Sequence, residues 1–502
     1  MFLLHGLLQC PWDLYGLLKL AAVLLGCLWW LRKPRRLPPG PINWPLLGNF
    51  LSLTQDEPML LKSWARQYGD VFMYHVGSRA VVVLNGYRTI HQALVKQAED
   101  FSSRPYMPIT AENSQRKGVI HVPYGPFWKQ HRKSTLLKMR EIGVDKPVLD
   151  QKIAMEGQSL VQEITKKEGI PFDMTKLIQT AVSNIISTML CGTRYEYDHP
   201  GFQRFISNVA LNFKFSRLSM LPNHYPWTKW VPGLNTEFNR TLECNKEIRE
   251  HIREHLVEHE TSFDPDNIRD FMDAFLNEIR HQDDEAATVN KEQLVQVIRD
   301  MFVAGIENIA TALRWALLYS VLYPDIQARV QEEIDHVLGR NGTPTMADRK
   351  KMPFTEATIE EVLRYATVAP LTVDHATSRD TSLNGYYIPK DTLVQVNLWS
   401  VHHDPETWPE PETFDPTRFL NDEGQFQKKA ENIPFSLGRR ICLGERMARA
   451  ELLLFYITLL QHFHFKLPEG AARPSEKGLF GITYNPVDFD IVAVPRFSDM
   501  CT

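Results

Sequence analysis

The sequence predicts a mainly α-helical fold with small β-sheets. Helical periodicity, interrupted by Pro, Gly and Asp, dominates the 502-residue chain from about Tyr87 onward. Two β-like runs precede it, Val71–Val76 and residues 80–84, with a turn signal at Asn85-Gly86. One unusually long helix is predicted over residues 290–323. These three observations favour a single large, mostly helical domain.

The composition excludes several classes of protein. A hydrophobic content of 43% with 23% charged residues is typical of a globular protein with a substantial core. The net charge of −4 gives no reason to expect a nucleic-acid partner. The six cysteines are widely scattered and show no C-x-x-C pair, which argues against a disulfide framework and a zinc site and fits a reducing compartment.

The N-terminus predicts a membrane anchor over residues 1–31. Residues 14–31 are apolar apart from Lys19, and the run approaches the length of about 20 residues that a span needs. A cleaved signal peptide would carry its positive charge before the apolar run. Here the charge follows it, which places the rest of the chain in the cytosol. The basic residues concerned are Arg32, Lys33, Arg35 and Arg36.

A stiff linker is predicted over residues 32–49. The run Leu37-Pro-Pro-Gly-Pro41 contains too much proline and glycine to continue a helix. The remaining residues, 50–502, are expected to form the one large domain.

The long helix has a polar and small-residue segment at its middle. Asn290 is a suitable N-cap and Pro324 follows the predicted end, so the helix would run for roughly 50 Å at about 1.5 Å per residue. Ala304, Asn308 and Thr311 are spaced i, i+4 and i+7 and would share one face. The sequence here leaves two possibilities open: a kinked helix with a satisfied polar patch, or a face against which a ligand packs.

Gly305 and Glu307 belong to the same segment. A glycine inside a helix costs roughly 1 kcal/mol relative to alanine, and a buried carboxylate costs more unless it finds partners.

A loop near the C-terminus carries one cysteine between two glycines. In Phe435-Ser-Leu-Gly438-Arg-Arg440-Ile-Cys442-Leu-Gly444, the cysteine precedes a helical run that starts at Glu445. The helix N-terminus and the arginines predict a thiolate at Cys442. Gly438 and Gly444 are expected where the backbone needs a positive φ or approaches a flat ligand closely. The alternative is a buried, inert cysteine.

Three further pairings accompany this loop. Glu361 and Arg364 are spaced i, i+3, which makes them neighbours on a helix face, although Glu250 and Arg253 have the same spacing in an ordinary charged helix. Arg418 lies in a Pro-rich region. Upstream, Trp128 and Arg132 lie one helical turn apart.

Together these residues resemble the cytochrome P-450 family, the haem-thiolate monooxygenases. The resemblance covers nearly the whole chain, from the anchor and proline-rich hinge to the cysteine loop. Finer runs, such as Phe101-Ser-Ser-Arg104-Pro105, resemble the animal microsomal group that metabolises drugs and steroids. The motifs are Trp128-x-x-x-Arg132, Ala304-Gly305-x-Glu307, Glu361-x-x-Arg364, Pro416-x-Arg418-Phe419 and Phe435-x-x-Gly438-x-Arg440-x-Cys442-x-Gly444.

The resemblance implies a role for each of these residues. Cys442 would ligate the iron of haem b, iron protoporphyrin IX, as a thiolate. Glu361, Arg364 and Arg418 would form a buried ion network that fixes the cysteine loop. Glu307, Asn308 and Thr311 are the candidate catalytic residues on the distal side. The other cofactor-binding residues are Arg104, Trp128, Arg132, His375 and Arg440 at the propionates, Ala304 and Gly305 over the distal face, and Phe435, Gly438 and Gly444 in the loop.

Two positions depart from the family pattern. Asn308 stands where a threonine usually helps to deliver protons, and an amide relays a proton less readily than a hydroxyl. Thr311 or an ordered water could replace that threonine, or the enzyme could be an isomerase or dehydratase that acts on a peroxide without dioxygen. Asp374 precedes His375 where proline is common, and a carboxylate beside a propionate would be repulsive.

The implied activity is the insertion of one atom of dioxygen into a lipophilic small molecule. By resemblance, electrons would come from NADPH through the membrane-bound NADPH–haemoprotein reductase, with cytochrome b5 as a second donor. The protein would be held in the endoplasmic reticulum membrane with its catalytic domain in the cytosol. A non-catalytic haem-binding sensor is the third alternative. A carrier of that kind would not need basic residues around Trp128 and Cys442, and such a surface suits an acidic redox partner.

The substrate cavity would be formed by four segments of the chain. They are residues 106–122, residues 205–230, residues 371–373, and Ile482 with Thr483 near a C-terminal hairpin. These segments are largely apolar with scattered hydroxyls, which favours a lipophilic molecule. Steroid, fatty acid, retinoid and xenobiotic all remain open.

Overall fold

The computed structural model of the chain describes residues 36–53, 56–213, 217–281 and 289–497. Near the N-terminus it also describes residues 16, 19–22 and 24–25. The predicted anchor at residues 1–31 therefore lies almost entirely outside the described residues. The predicted domain limits stay predictions.

The fold is mainly α-helical, as the sequence predicts, with about 54% of its residues in helices. The α-helices are α1 Glu57–Tyr68, α2 Tyr87–His91, α3 Ala98–Phe101, α4 Pro108–Ser114, α5 Pro126–Glu141, α6 Pro147–Thr165, α7 Thr175–Cys191, α8 Pro200–Leu211, α9 Arg217–His224, α10 Thr236–Ser262, α11 Phe271–Arg280, α12 Lys291–Leu322, α13 Pro324–Leu338, α14 Pro353–Ala366, α15 Trp399–His402 and α16 Glu445–His462. A π-helix spans Gln92–Lys96, and 3₁₀-helices span Pro226–Trp230, Asp348–Lys351, Pro416–Phe419 and Gly438–Arg440.

The strands form small sheets, which also agrees with the prediction. They are β1 Val71–Val76, β2 Arg79–Leu84, β3 His375–Ala376, β4 Thr381–Leu383, β5 Tyr386–Ile388, β6 Leu393–Val396, β7 Phe463–Lys466, β8 Leu479–Phe480, β9 Tyr484–Asn485 and β10 Val492–Pro495. The largest sheet has the order β1-β2-β6-β3. Its first two strands are the two that the sequence predicts, and they pair antiparallel with Val71 opposite Leu84.

Helix α12 is the predicted long helix and forms the centre of the core. Asn290 caps it, because its side chain accepts a hydrogen bond from the Gln293 N–H at 2.9 Å. The helix packs between α7 and α16, and its second half, which contains Trp315 and Tyr319, is buried on all sides. In the part of the chain that the structure describes, α12 alone is long and apolar enough to cross a membrane, but 72% of its most apolar stretch is buried inside the protein.

A buried polar cluster joins the end of α10 to the start of α11. The two ring nitrogens of His259 lie 2.8 Å from the His255 carbonyl and 2.7 Å from an Asp270 carboxylate oxygen. Both partners are acceptors, so the ring must donate from both nitrogens and is an imidazolium. Burial acts to lower the pKa of His259, but the hydrogen bond and charge of Asp270 outweigh it and raise the pKa above its ordinary value. Asp270 also caps α11, which makes His259 a support for that helix.

This cluster predicts that His259 stabilises the protein in a pH-dependent way. Because its folded-state pKa is raised, the contribution is fully present below the unfolded-state pKa of about 6.5 and is lost as pH rises through the folded-state value. His259→Gln should lower the free energy of unfolding by about 1.5–3 kcal/mol near pH 6, since a charged hydrogen bond is lost. The loss should shrink by about pH 9. Denaturant unfolding at several pH values measures both effects.

His336→Gln is the matched control, because His336 is exposed on α13. Its effect on the free energy of unfolding should be small and should not depend on pH. An effect of His259→Gln that is constant across the pH range would contradict the imidazolium assignment.

Candidate active site

A cavity of about 1130 Å³ lies between α12, the cysteine loop and the largest sheet, and most of the predicted site residues line it. The four segments expected to form a substrate cavity all contribute to its wall, although Thr483 does not. The predicted residues that line the cavity are Arg104, Arg132, Ala304, Gly305, Asn308, His375, Phe435, Arg440, Cys442 and Gly444. The predicted residues Trp128, Glu307, Thr311 and Gly438 do not line it.

The cysteine loop is folded so that Cys442 forms part of the cavity wall. The Cys442 N–H donates to the Phe435 carbonyl at 3.0 Å, which closes the loop. Gly438 has a φ of +75°, and a Cβ there would lie 1.9 Å from the Leu94 carbonyl oxygen. The positive φ predicted for Gly438 is therefore confirmed, and the close approach here is to the backbone of Leu94 rather than to a ligand. The thiol of Cys442 is free and exposed to the cavity.

One effect within the protein opposes the thiolate that the helix N-terminus predicts at Cys442. Burial raises the pKa of the Cys442 thiol, although the Gly444 N–H and the guanidinium groups of Arg132 and Arg449 act to lower it. A cation at the sulfur atom would displace the proton, because a metal-bound thiol is deprotonated. Cys442 thus fits a metal ligand better than a pre-formed nucleophile.

Two glycines differ from the roles predicted for them. Gly444 has an ordinary φ of −92°, and a Cβ there would meet no described atom within 4 Å, so the protein itself does not require this glycine. The space beside it belongs to the cavity. At Gly305 a Cβ would lie 2.6 Å from Cδ1 of Ile186 on α7. Close helix packing therefore favours Gly305, although a shift of the terminal Ile186 methyl group would relieve the contact.

Three arginine side chains converge on one end of the cavity. Arg104 donates to the carbonyls of Ile120, Val373 and Asp374, each at 2.9 Å. Arg440 and Arg132 also donate to backbone carbonyls. Burial, together with Arg104 and Arg132, lowers the pKa of Arg440 to about 8. The guanidinium groups thus repel one another in a poorly solvated place.

Trp128 lies between two of these arginines. It is buried, and the guanidinium carbons of Arg440 and Arg132 lie 4.0 and 5.5 Å from its ring centre. Its indole N–H donates to the Val119 carbonyl at 3.0 Å. To bind a propionate as the resemblance implies, the indole would have to exchange this partner. In the present structure Trp128 orients the arginines by cation–π contact.

His375 lies at the same end of the cavity and is neutral. Burial and the charge of Arg104 hold the pKa of His375 well below its ordinary value. Its Nδ1 lies 2.7 Å from the Phe101 carbonyl, so Nδ1 carries the proton and Nε2 is an acceptor. An acceptor cannot bind a carboxylate. His375 would therefore bind a propionate only after that carboxylate had raised its pKa and protonated the ring.

The side chains of this cavity suit a ligand that carries two negative charges and contains a metal able to bind a thiolate. Converging guanidinium groups whose mutual repulsion lowers their pKa values need negative charge, which two propionates would supply. Cys442 offers sulfur to a metal from the adjacent wall, and Gly444 leaves open space beside it. Haem satisfies both requirements.

The three predicted catalytic residues of α12 point in different directions. Only Asn308 faces the cavity: its amide donates to the Ala304 carbonyl at 2.6 Å. The Glu307 carboxylate is buried and accepts a hydrogen bond from Gln179 of α7 at 3.0 Å. The Thr311 hydroxyl donates to the side chain of Asn485 at 2.7 Å. Thr311 therefore does not share the cavity-facing side with Asn308, and the structure does not support its use as a replacement hydroxyl.

Glu361 and Arg364 form a fully buried ion pair, as predicted. Two hydrogen bonds of 2.7 Å join them, and Glu361 also accepts the Asp415 N–H. Arg418 lies 3.5 Å from Glu361 and donates to nearby carbonyls. Arg364 binds the carbonyls of His402 and Pro411. The network therefore fixes the irregular segment around residues 402–418.

The link from this network to the cysteine loop runs through residues that sequence reasoning missed. His402 receives the Ile433 N–H on its Nε2 at 3.1 Å. Asn432 donates to the Glu360 carboxylate at 2.8 Å, and Glu360 also pairs with Arg449 of α16. These contacts fix the backbone immediately before Pro434. Glu360 precedes Glu361 directly in the sequence, but no sequence pattern indicates that its partner is Asn432, 72 residues away.

Asp300 is a second residue that sequence reasoning missed. It lies one helical turn before Ala304, and its carboxylate accepts the N–H groups of Val119 and Ile120 at 2.9 and 3.1 Å. The carbonyls of the same two residues hold Arg440 and Arg104. The periodicity of α12 could have indicated Asp300, because i and i+4 share a face.

The predicted basic surface is only partly available to a partner. Lys138 is buried and pairs with Glu278 at 2.6 Å, and Arg449 pairs with Glu360 and Glu445. Five members of the set remain exposed, although Lys129, Arg439 and Arg446 pair with acidic neighbours. The exposed members are Lys129, Lys133, Arg140, Arg439 and Arg446.

Comparisons with known proteins agree with this geometry. The family model described as Cytochrome P450 matches residues 38–492. The chain is 38% identical to human cytochrome P450 2U1 over 94% of this chain and 92% of that protein. It is 39% identical to rat cytochrome P450 2D4 over 93% and 94% of the two chains, and 37% identical to human cytochrome P450 2J2 over 93% and 92%.

The buried ion pair predicts that Arg364 cannot be replaced even by lysine. Arg364 donates to five oxygen atoms of its neighbours, and a lysine would leave part of the Glu361 carboxylate and the carbonyls unpaired. Arg364→Lys should cost roughly 3–5 kcal/mol in the free energy of unfolding and should reduce the haem content of the purified protein. Denaturant unfolding and haem quantitation measure the two effects.

Arg253→Lys is the matched control. Arg253 has the same sequence spacing from an acidic residue, but it is half-exposed and pairs with Glu292 of α12. Its replacement should change the free energy of unfolding by no more than about 0.5 kcal/mol. Equal effects of the two substitutions would show that burial of the Glu361–Arg364 pair is unimportant.

Proposed function

The chain belongs to the cytochrome P450 family, and we propose that it inserts one atom of dioxygen into a lipophilic small molecule with electrons from NADPH delivered through a reductase. Members of the family are haem-thiolate monooxygenases. The observation that carries the proposal is the single cavity that brings Cys442, the converging arginines and an apolar wall together. When bound, haem supplies the iron at which dioxygen is reduced.

The residues on the cysteine side would hold this group. Cys442 would ligate the metal, and Phe435 and Gly438 shape the loop that presents it. Arg104, Arg132 and Arg440 would bind the propionates, since a charged donor and a carboxylate form a strong hydrogen bond. On this proposal the backbone carbonyls that now bind the guanidinium groups keep them in position before the propionates arrive.

On the opposite wall, Asn308 would orient the group that delivers protons. One of its amide hydrogens is bound to the Ala304 carbonyl, so the side chain is fixed and its oxygen has no partner among the described residues. That oxygen can accept a hydrogen bond from a water and hold it in the cavity. Asn308 cannot itself relay a proton as a hydroxyl does, so the relay would pass through water.

The substrate is lipophilic on this proposal. Apolar groups make up most of the cavity wall, and its volume suits a drug-sized molecule above the cofactor. The residues on α12 that would contact it are Met301, Val303, Ile309 and Ala312.

The electron donor would dock on the side of α5 and the cysteine loop. The five exposed basic residues there suit an acidic partner, and complementary charge accelerates association. We expect this partner to be the NADPH–haemoprotein reductase, with cytochrome b5 as a second donor.

We further propose that the protein is held at the endoplasmic reticulum membrane with its catalytic domain in the cytosol. The apolar run at residues 14–31 and the basic residues after it support this location. The described residues also expose large apolar side chains in two segments, residues 42–46, which follow that run in the sequence, and residues 227–230. The Tyr225 hydroxyl donates to the Leu46 carbonyl and so joins these two segments. The exposed side chains are Ile42, Trp44, Leu46, Trp227 and Trp230.

The isomerase and sensor alternatives lose support from these observations. The relatives and the family model favour monooxygenation, and the cysteine loop has the regular geometry. A sensor would not need an exposed basic surface beside the cysteine loop.

Reconstitution tests the proposal directly. The purified holoenzyme, mixed with reductase and NADPH, should convert members of a lipophile panel into products that carry one oxygen atom from dioxygen. Cys442→Ser should abolish both the product and the red-shifted carbon monoxide band of thiolate-ligated haem, because an alcohol is a weaker ligand and remains protonated. Rapid conversion of a peroxide without NADPH-dependent turnover would favour the isomerase. A retained band in Cys442→Ser would contradict the ligand assignment.

The orientation of α12 predicts different effects of substitution at Asn308 and Thr311. Asn308→Leu should lower the product formed per NADPH by about tenfold or more, since it removes the only polar group of the three that faces the cavity. Thr311→Val is the matched control. It should leave that ratio nearly unchanged and should lower only the free energy of unfolding, because it breaks the bond to Asn485. The opposite pattern would assign proton delivery to Thr311.

A further inference from the structure

Among the described residues, four carboxyl groups line the cavity, and they differ in their partners. They are Glu57, Asp300, Asp374 and Glu451. A carboxylate in an apolar cavity is costly unless donors surround it. The source of those donors therefore indicates what each carboxyl group does.

Two of the four are bound by the protein. Asp300 accepts two backbone N–H groups and an amide hydrogen from Gln296. Glu57 accepts from Gln395 at 3.2 Å, and Gln395 in turn accepts from Tyr74. Neither carboxylate needs a ligand.

Glu451 is closed off from any ligand. Both of its oxygens are buried without a hydrogen-bond partner, and burial raises its pKa well above the ordinary value. Without donors to offset the loss of water, this carboxyl group inside α16 favours its neutral form, which a cationic ligand would not seek.

Asp374 is the remaining carboxyl group. Within the described ranges, no hydrogen bond or ion pair reaches its carboxylate, its oxygens are not fully enclosed by the protein, and the residue lines the cavity. The contacts that fix this position go to the backbone, since Arg104 donates to the carbonyls of Val373 and Asp374. The carboxylate is therefore held in place by its main chain and left without a donor.

The nearby arginines do not cancel this charge within the cavity. Arg79 faces a separate, smaller cavity of about 370 Å³, and it donates to the Tyr106 carbonyl. The Nε and Nη1 groups of Arg104 already donate to three carbonyls, and on the proposed function its Nη2 group would donate to a propionate. The group that the main cavity presents to a substrate is thus the Asp374 carboxylate.

We propose that Asp374 binds the cationic ammonium group of a lipophilic substrate and so selects organic cations among the molecules that enter the cavity. This inference rests on the proposed function, because it assumes that the cavity holds the substrate beside haem. Asp374 acts here as a specificity-determining residue. The attraction of opposite charges across a few ångströms in a poorly solvated cavity is large enough to control the choice of ligand.

The test compares two probes of equal shape on the purified, full-length holoenzyme. One is a phenylalkyl trimethylammonium ion, which cannot ligate iron through nitrogen. The other is the hydrocarbon in which carbon replaces that nitrogen. The shift of the haem absorbance on titration gives a dissociation constant for each probe. Asp374→Asn should raise the dissociation constant of the cation about tenfold, which is about 1.4 kcal/mol. It should change the dissociation constant of the hydrocarbon by no more than about twofold.

Two further variants sharpen the comparison. Asp374→Glu keeps the charge and should retain the preference for the cation. Glu57→Gln removes a cavity carboxylate that already has protein partners, and it should not change the ratio of the two constants. If Asp374→Asn weakens the binding of both probes equally, the inference is wrong, and Asp374 instead supports the packing of the cavity or the position of haem.

The wild-type protein offers an independent test by pH. Burial raises the pKa of Asp374 to about 6, although Arg104 and Arg79 oppose this. Affinity for the cation should therefore fall as pH decreases through about 6, while affinity for the hydrocarbon should not. The ionisable groups nearest to Asp374 are Arg79 and Tyr74 on the sheet, Arg104 and His121 in loops, and its neighbour His375. Of the two histidines, the pKa of His121 is lowered to about 3 and that of His375 lies well below its ordinary value, so neither titrates in this range.

The two proposals fail in distinguishable ways. If the wild type binds the hydrocarbon but not the cation, the inference about Asp374 is wrong and the lipophilic cavity stands. If neither probe binds, the proposed lipophilic substrate and the cation preference are both wrong.

Discussion

The site depends on one short segment, residues 118–122. Its backbone N–H groups bind one wall of the cavity, and its backbone carbonyls bind another. The N–H groups of Val119 and Ile120 donate to Asp300 on the long helix, and their carbonyls accept from Arg440 and Arg104. The segment thus connects the distal wall of the cavity to its charged end. Because main-chain atoms fix the guanidinium groups, their positions follow the backbone. A shift of α12 would move the arginines with it.

This arrangement leaves buried positive charge that the nearby Asp374 carboxylate offsets only in part. The lowered pKa values of Arg104 and Arg440 express that cost, since each reflects burial and the repulsion of other arginines. A bound dianionic group would relieve the repulsion only in the folded state. Cofactor binding should therefore contribute directly to the free energy of unfolding. Metal binding at Cys442 is coupled to folding in the same way, because the metal displaces the proton of a thiol whose pKa burial raises.

The sequence predicted those parts of the structure that depend on local pattern. The cap and length of α12, the first hairpin and the strained Gly438 all follow from neighbouring residues. The direction of Thr311 does not, because its partner Asn485 is 174 residues away. The role of Asp300 likewise rests on N–H groups 180 and 181 residues distant. At Cys442 the sequence indicates the helix dipole and the arginines but not the desolvation of the sulfur, which raises the pKa of the thiol.

The contrast between Asp300 and Asp374 shows how one chemical group takes two roles in one cavity. Both are carboxylates in apolar surroundings, and each needs donors to offset the loss of water. Asp300 receives its donors from the protein, two main-chain N–H groups and the side chains of Gln296 and Arg299, so its charge organises the fold and is neutralised within it. Asp374 receives none from the described residues, so its charge remains available. A carboxylate whose donors come from the protein supports structure, whereas one whose donors must come from a ligand determines which ligand binds.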